Sequence, residues 1–431
     1  MRDTVKNLSF KNIIHDFIPI IKWLPEYSVK DNFVGDLISG ITIAVMHIPQ
    51  GLGFGLLAGV APITGLYMAF YPLLVYAVFG TSRHVSIGTF PVVSLMVAKM
   101  VETLSTTPTT DNLSFNEYNT TMSTTTDQSL VPEEQYSNIQ VGMATAMMVG
   151  FFQLLMYVFR LGTLASLLSE PLTNGFTTAA AFHVISSLLK DLVGIKIPTH
   201  QGAFKIIFTV RDVFMNLSNA NITTLCVSGV SLAFLFLMNE LVKPWAAKKS
   251  VIPIPTELIA VLGGTFISYL LNFGPDHSVM LVGTIPVGLP IPEIPSFTLL
   301  KLVAVDSIAI TIVSYTVVMS MALIFARKMQ YEVRPNQELL AMGLANITGS
   351  FFSCIPIACA LSRSMIQFQT GGKTQLSAVI SSGLILIVLL WLGPYFETLP
   401  RAVLAAIIIC ALKGMIMQVM DIKRFYKQGN C

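Results

Sequence analysis

The sequence predicts an all-α polytopic membrane protein. Of its 431 residues, 53% are hydrophobic and only 11% are charged, and the mean hydropathy is +0.70. Soluble domains carry about 25% charged residues, so this composition is typical of a chain that lies mostly in a bilayer. Apolar segments long enough to cross a membrane recur along the whole sequence. Two of them are short and interrupted by polar residues, which predicts broken helices inside the bilayer.

Composition and motifs also exclude several classes of function. A net charge of only +3 argues against a nucleic acid partner. The five cysteines form neither a disulfide framework nor a zinc-site spacing. Gly371 to Thr374 resembles the end of a phosphate-binding loop, but Gln367 stands where that loop needs glycine, so ATP-driven pumping is not expected. Since no catalytic constellation is recognisable, we expect no enzyme activity, no cofactor and no metal.

About twelve membrane spans follow a polar cytoplasmic segment, residues 1–35, in which Trp23 and Tyr27 are interfacial anchors. The predicted spans lie at roughly 36–58, 63–80, 88–104, 140–160, 171–193, 222–243, 256–273, 302–326, 337–353, 357–372, 376–393 and 400–418. They form one transmembrane domain, 36–418, followed by a short cytoplasmic tail, 419–431. Because the first residues lack the apolar stretch of a cleaved signal, we expect the first span to direct insertion.

Charge and glycosylation motifs indicate one orientation, with both termini in the cytoplasm. Basic residues cluster in the predicted inner loops, at 243–249, 327–334 and 423–427, as the positive-inside rule requires. The predicted outer loops, 105–139 and 194–221, contain Asn-X-Ser/Thr motifs. We expect glycosylation at Asn112, Asn119, Asn216 and Asn221.

The tenth span contains Arg363, a basic residue in an apolar segment with no acidic residue beside it. An arginine at mid-membrane costs about 2.5–3.5 kcal/mol even on the lenient insertion scale, so it usually faces a cavity or a ligand. Pro356 and small residues precede it, and a helix can follow. A helix that begins inside the bilayer presents free N–H groups and a positive dipole end. With the hydroxyl of Ser362, this arrangement predicts an anion-binding site.

The third and first spans supply residues that could complete this site. In the third span, a glycine-rich turn leads through Phe90 to Pro91, a residue suited to the first position of a helix. Two half-helices facing each other at mid-membrane would create a local positive field. In the first span, Gln50 and Phe54 are four residues apart and share one helix face.

Several of these residues also have ordinary structural interpretations. Gln50 could join two helices through hydrogen bonds, and Phe54 and Phe90 could be packing residues. Glu257 follows Pro255 at a predicted helix start, where an acidic residue is favourable. His47 is interpreted as a packing residue with satisfied hydrogen bonds rather than as a proton relay.

These stretches resemble the sulfate permease-type anion transporters, the family that includes pendrin and prestin. The matching segments are PQGLGFGLLAGVAPITGLYMAFYPLLVYAVFGTSRHVSIGTFPVVSLMV (49–97), EPLTNGFTTAAAFHV (170–184), PIPTELIAV (253–261), NQELLAMGLANITGSFFSCIPIACALSRSMIQFQTGGKTQLSAVISS (336–382) and ALKGMIMQ (411–418). The resemblance implies an inverted seven-span repeat with a UraA-like core and gate. The core would comprise 36–160 and 302–393, and the gate 171–273 and 400–418.

The resemblance also implies residue roles. It places the anion between the third and tenth half-helices, lined by Gln50, Phe54, Phe90, Ser362 and Arg363. It assigns Glu257 a possible role in coupling or in support of the core. The family pattern has about fourteen spans and a cytoplasmic STAS domain. We expect only about twelve spans here, because the chain ends at Cys431.

We therefore expect a plasma-membrane secondary active transporter that exchanges chloride with bicarbonate, sulfate, oxalate or similar anions by an elevator motion. We also expect a homodimer. Two alternatives remain open: an uncoupled anion channel on the same fold, and a non-transporting isoform that partners a full-length sibling. A nucleobase permease of similar architecture is less favoured, because it would not need Arg363.

Overall fold

The structure is a computed structural model, and it describes residues 17–105, 136–163, 170–198, 200, 202, 204–249 and 253–417. The predicted glycosylation sites Asn112 and Asn119 lie outside these residues, as does the predicted tail, 419–431. Within the described residues the secondary structure is helical, apart from two short strands and one isolated β-bridge.

The first half of the described chain contains α1 Ile20–Trp23, α2 Val29–Leu57, α3 Ile63–Met68, α4 Tyr71–Phe79, α5 Pro91–Leu104, α6 Asn138–Val158, α7 Glu170–Val193, α8 Lys205–Met215, α9 Ile222–Leu237, α10 Lys243–Ala247, α11 Thr256–Leu270 and α12 Phe273–His277. Strand β1, Ile87–Gly88, precedes α5. A 3-10 turn, Leu217–Asn219, follows α8, and a π-helical turn, Met238–Val242, joins α9 to α10.

The second half contains α13 Phe297–Met329, α14 Pro335–Phe351, α15 Leu361–Gln369, α16 Leu376–Ile387 and α17 Arg401–Met417. Strand β2, Ala358–Cys359, precedes α15. A π-helical turn, Val388–Leu392, and a 3-10 turn, Gly393–Phe396, extend α16.

Each predicted span falls on one of these helices or on a consecutive pair of them. Six helical segments in the described part of the chain are long and apolar enough to cross a membrane, by length and composition. The predicted ends are less accurate than the predicted spans. Helix α2 begins at Val29 rather than near 36, and α15 begins at Leu361 rather than near 357, because the residues before it are extended.

Glycines allow α2 and α3 to cross at backbone contact. A Cβ atom built on Gly65 would lie 1.9 Å from the carbonyl oxygen of Gly51, so neither helix could keep its position with a side chain there. This crossing fixes α2, which carries Gln50 and Phe54, against the segment that leads to β1. The glycine-rich sequence of the first span is therefore explained by packing.

Two packing groups are evident in the described helices. In one, α6 packs on α13 and α14, α14 packs on α4, and α16 packs on α2 and α4. In the other, α17 packs on α7 and α9, and α9 packs on α11. Helices α2, α5 and α7 also make contacts between the two groups.

A buried carboxylate ties α14 to the chain that precedes β1. Glu338 is fully buried and accepts hydrogen bonds from the Tyr76 hydroxyl (2.7 Å), the Thr81 amide (2.7 Å) and the Ser82 amide (3.0 Å). Because a buried charge is tolerated when hydrogen bonds satisfy it, this cluster can lie inside the helix bundle. It positions the turn from which β1 and α5 emerge.

Candidate anion-binding site

The candidate site lies where two broken helices meet. Strands β1 and β2 pair antiparallel, with Ile87 opposite Cys359 and Gly88 opposite Ala358. Helix α5 begins three residues after β1, and α15 begins two residues after β2. The Ser86 amide also donates to the Ser364 hydroxyl on α15 (3.0 Å). The strand pair therefore holds the N-termini of α5 and α15 beside each other.

The local sequence explains why both helices begin here. Phe90 is extended (φ −144°, ψ 131°), and Pro91 then starts α5 with a fixed φ and no N–H to satisfy. Ala360 is likewise extended (φ −102°, ψ 127°) before α15. Neither N-cap side chain makes a capping hydrogen bond. The first-turn amides and the positive dipole ends are thus available to an anion.

Arg363 lies in the first turn of α15 and is fully buried, with 0% of its surface exposed. Its Nη1 donates to Gln50 Oε1 (2.7 Å), and its Nη2 donates to the Thr89 carbonyl (2.9 Å). Its Nε has no hydrogen-bond partner among the described residues. Both acceptors are neutral, so they hold the guanidinium in place without cancelling its charge.

Gln50 connects Arg363 to Glu257. While its amide oxygen accepts from Arg363, its Nε2 donates to Glu257 Oε2 (3.1 Å). Glu257 lies in the first turn of α11, so the acidic residue is placed at a helix start as its sequence context predicts. Its carboxylate also reaches across to α2, which an N-terminal capping role alone would not require. The two opposite charges are bridged by one amide instead of being paired directly.

The other three predicted residues make no side-chain hydrogen bond to Gln50, Arg363 or Glu257 in the described part of the chain. Phe54 is 2% exposed and belongs to an apolar cluster that includes Val184 of α7 and Ala405 of α17. Phe90 is 5% exposed, in the main core cluster, and Ser362 is half-buried next to Arg363 in sequence. The hydrogen bonds bring together Gln50, Arg363 and Glu257, whereas the roles of Phe54, Phe90 and Ser362 stay predictions.

Two residues near Arg363 were not predicted as part of the site. His47, one helical turn before Gln50, is fully buried, and neither ring nitrogen has a partner among the described residues. His47 is therefore packed in the interior as expected, but the expectation that its ring nitrogens are satisfied is not met by the described residues. Gly88 has a φ of 147°, and a Cβ there would lie 2.9 Å from the His47 ring and 3.3 Å from Arg363 Nη2. The glycine-rich turn before Phe90 was the sequence signal for this close approach.

A cavity of about 460 Å³ adjoins this group of residues. Its wall is formed by α2, by the C-terminal end of α15, by α10 and by residues 253–258 at the start of α11. The lining includes Thr42, Met46, Lys243, Pro255, Glu257 and Thr370. Glu257 therefore borders the cavity and also hydrogen-bonds Gln50, which connects the cavity wall to Arg363.

Comparison with known proteins identifies the family. The model of the sulfate permease family matches residues 33–430, which is nearly the whole chain. The chain belongs to the sulfate permease family. It is accordingly a multi-pass membrane protein of an anion transporter family, and the resemblance predicted from the sequence is confirmed.

Individual members of the sulfate permease family are similar along nearly all of this chain. Prestin of Tursiops truncatus is 43% identical over 420 residues, which cover 97% of this chain and 55% of prestin. The sulfate transporter of Rattus norvegicus is 36% identical over 424 residues, covering 97% of this chain and 57% of that protein. The chain thus spans about half the length of the curated relatives it matches.

A solved structure confirms the all-helical membrane fold. The structure of murine Slc26a9, an anion transporter in the inward-facing state, is 34% identical and superposes with a TM-score of 0.87. The match covers 98% of this chain and 67% of the Slc26a9 chain.

Proposed function

We propose that this domain binds a small anion between the N-termini of α5 and α15 and exchanges it across the membrane. The buried guanidinium of Arg363 carries the proposal, since its hydrogen-bond partners among the described residues are neutral oxygens. Leaving a buried charge without a counter-charge costs several kcal/mol, so an anion at this position stabilises the protein as well as being bound. The two helix N-termini each add about 0.3–1 kcal/mol of attraction for a negative charge.

The related proteins support the class of substrate. One relative is named as a sulfate transporter, and one solved structure as an anion transporter. We extend that class to this chain and propose chloride, bicarbonate, sulfate and oxalate as its substrates. Gln50 and the hydroxyl of Ser362 would hydrogen-bond the anion, and Phe54 and Phe90 would limit its size. A charged site favours anions in general, so the space that Phe54 and Phe90 leave would decide among them.

An elevator motion is the proposed mechanism. The residues 36–160 and 302–393 would move as a core against the gate, residues 171–273 and 400–418. The hydrogen bond between Gln50 and Glu257 crosses this division. The cavity lies beside the basic loop at 243–249, which the positive-inside rule assigns to the cytoplasm. The described conformation would therefore be inward-facing, as in the murine Slc26a9 structure.

We further propose a plasma-membrane homodimer with both termini in the cytoplasm, and glycosylation at the four outer sequons. The two described sequons differ in their surroundings. The Asn216 amide donates to the Asp212 carbonyl of its own helix (2.9 Å). The Asn221 Oδ1 accepts from the Thr224 amide and its Nδ2 donates to the His277 carbonyl (2.7 Å), so a glycan on Nδ2 would have to be accommodated beside His277, whereas the bond to Thr224 could remain.

The test is sulfate uptake by the purified chain in proteoliposomes loaded with chloride. We expect uptake that requires internal chloride, and at least about a tenfold loss in Arg363→Gln, because a charged hydrogen bond contributes about 1.5–3 kcal/mol. Arg83→Gln is the matched control, since Arg83 is exposed and stacks on Tyr331. Equal uptake by Arg363→Gln and the wild type would contradict the assignment. Anion current without a requirement for internal chloride would instead indicate a channel.

A further inference from the structure

Among the described residues, Lys243 is the one basic residue on the wall of the 460 Å³ cavity described above. It is half-buried, and within the described residues it makes neither an ion pair nor a hydrogen bond. The neighbouring lysines are occupied or exposed. Lys413 pairs with Glu240, and Lys249 lies 4.2 Å from the centre of the Trp245 ring. Lys243 is thus a cation on the cavity wall without a hydrogen-bond or ion-pair partner among the described residues.

The local backbone presents Lys243 to this cavity. The π-helical turn Met238–Val242 comes directly before it, and such turns accommodate an extra residue and are frequent at functional sites. The Thr256 hydroxyl hydrogen-bonds the Asn239 side chain (3.3 Å), which fixes the π turn against the start of α11. Lys243, the first residue of α10, and Glu257, in the first turn of α11, consequently line the same cavity.

From this geometry we infer that Lys243 forms a second anion-binding site, on the cytoplasmic side of Arg363. The site would take a small inorganic oxyanion and deliver it toward Gln50 and Arg363. The delivery of the anion toward Arg363 rests on the proposed function. Binding of the anion at Lys243 does not depend on whether the anion later crosses the membrane. Glu257 is the one acidic residue among the described residues that line the cavity, and its carboxylate accepts a hydrogen bond from Gln50. Lys243 therefore offsets a negative charge that would otherwise repel the anion.

The binding can be measured without transport. Ala246 lines the cavity, so Ala246→Cys reports on its occupancy. Cys226, Cys410 and Cys431 are replaced by serine, which leaves the buried Cys354 and Cys359. Membranes open on both sides are treated with a neutral maleimide in increasing sodium sulfate, with gluconate keeping the ionic strength constant.

We expect sulfate to slow the modification of Ala246→Cys. The half-protective concentration should rise about fivefold or more with Lys243→Gln, as expected for the loss of a half-buried charge contact, and stay within about twofold with Lys243→Arg. Lys248→Gln, a change at an exposed lysine outside the cavity, is the matched control. Rescue by arginine and an unchanged elution volume in size-exclusion chromatography separate loss of binding from loss of folding.

Arg363→Gln distinguishes this inference from the proposed function. The inference predicts that sulfate still protects Ala246→Cys in Arg363→Gln, while sulfate uptake is lost. Protection that is absent in the parent, unchanged in Lys243→Gln, or lost equally in Arg363→Gln would overturn the second site. If sulfate protects the Ala246→Cys parent and the wild-type protein transports no sulfate, the proposed function is refuted and the second site stands.

Discussion

At the scale of single residues, the site depends on one amide that separates two opposite charges. Gln50 accepts from Arg363 at one end and donates to Glu257 at the other, which only a side chain with both an acceptor and a donor can do. A direct ion pair would cancel the charge of the guanidinium. The bridged arrangement keeps Arg363 positive while the buried guanidinium and the half-buried Glu257 carboxylate both remain hydrogen-bonded.

Replacement of Gln50 by glutamate tests this interpretation. The new carboxylate would stand 2.7 Å from Arg363 and compete with the substrate anion, so we expect sulfate uptake to fall by about tenfold or more. Gln50→Leu removes both hydrogen bonds but adds no charge, and a smaller loss is expected. The measurement is initial uptake in proteoliposomes, normalised to inserted protein. Uptake by Gln50→Glu at or above that of Gln50→Leu would argue against a site that needs a net positive charge.

The sequence predicted the residues that are conspicuous by type but not their partners. Gln50 and Arg363 could be identified because polar side chains are rare in apolar spans. The contact between Gln50 and Glu257 joins residues 207 positions apart, and no local pattern encodes it. The burial of His47 could be predicted from its apolar neighbours in sequence, but its approach to the Gly88 turn could not.

At the scale of elements, hydropathy located the spans better than it located their ends. Helix α2 extends to Val29 because its polar first turns have partners outside the apolar run. Asp36, for example, is fully buried and accepts from the Lys373 amide (2.7 Å) and the Thr374 hydroxyl (2.6 Å). The half-helices were predictable from proline and small residues, but the pairing of β1 with β2 was not. Strands of two residues carry no periodic signal.

A side chain at the crossing of α2 and α3 is predicted to destabilise the protein. Gly65→Ala places a Cβ 1.9 Å from the Gly51 carbonyl oxygen, so the helices must separate. We expect a loss of about 1–3 kcal/mol or more in the free energy of unfolding and a lower thermal midpoint in detergent. Gly229→Ala in α9 is the matched control, because a Cβ there meets nothing within 4 Å. Equal midpoints for the two variants would show that the close crossing is not required.

The local stability of helix α8 is predicted to depend on pH. Hydrogen bonds from His200 (2.5 Å) and Arg211 (2.9 Å) hold the pKa of Asp212 below its ordinary value of 3.8. Because the pKa of Asp212 is lower in the folded than in the unfolded state, its carboxylate stabilises the fold at a pH above the unfolded-state pKa. This stabilisation is lost as the pH falls through the folded-state pKa. Hydrogen exchange in α8, corrected for intrinsic rates, should therefore quicken in acid below about pH 3.8.

The variant Asp212→Asn is expected to exchange faster in α8 at neutral pH and to lose this acid dependence. Asp276→Asn, at an exposed aspartate in α12, is the control and should behave as the wild type. Acid-dependent exchange that persists unchanged in Asp212→Asn would assign the effect to another group.

At the scale of the whole molecule, the fold brings distant halves of the chain to one place. The third and tenth spans meet through β1 and β2, and the first span joins them to α11 through Gln50. Family membership is shown for residues 33–430, about half the length of the curated relatives. The pairing of two half-helices through β1 and β2, and not any single motif, supports the proposed anion site.

The most direct test of the central claim is to locate the anion. Crystals of the protein grown in sodium bromide would show its position by anomalous scattering. We predict a peak within about 3.5 Å of the Arg363 guanidinium, between the N-termini of α5 and α15. Strong peaks elsewhere with none at Arg363, or an Arg363 head group bonded to protein oxygens through all of its donors, would contradict it.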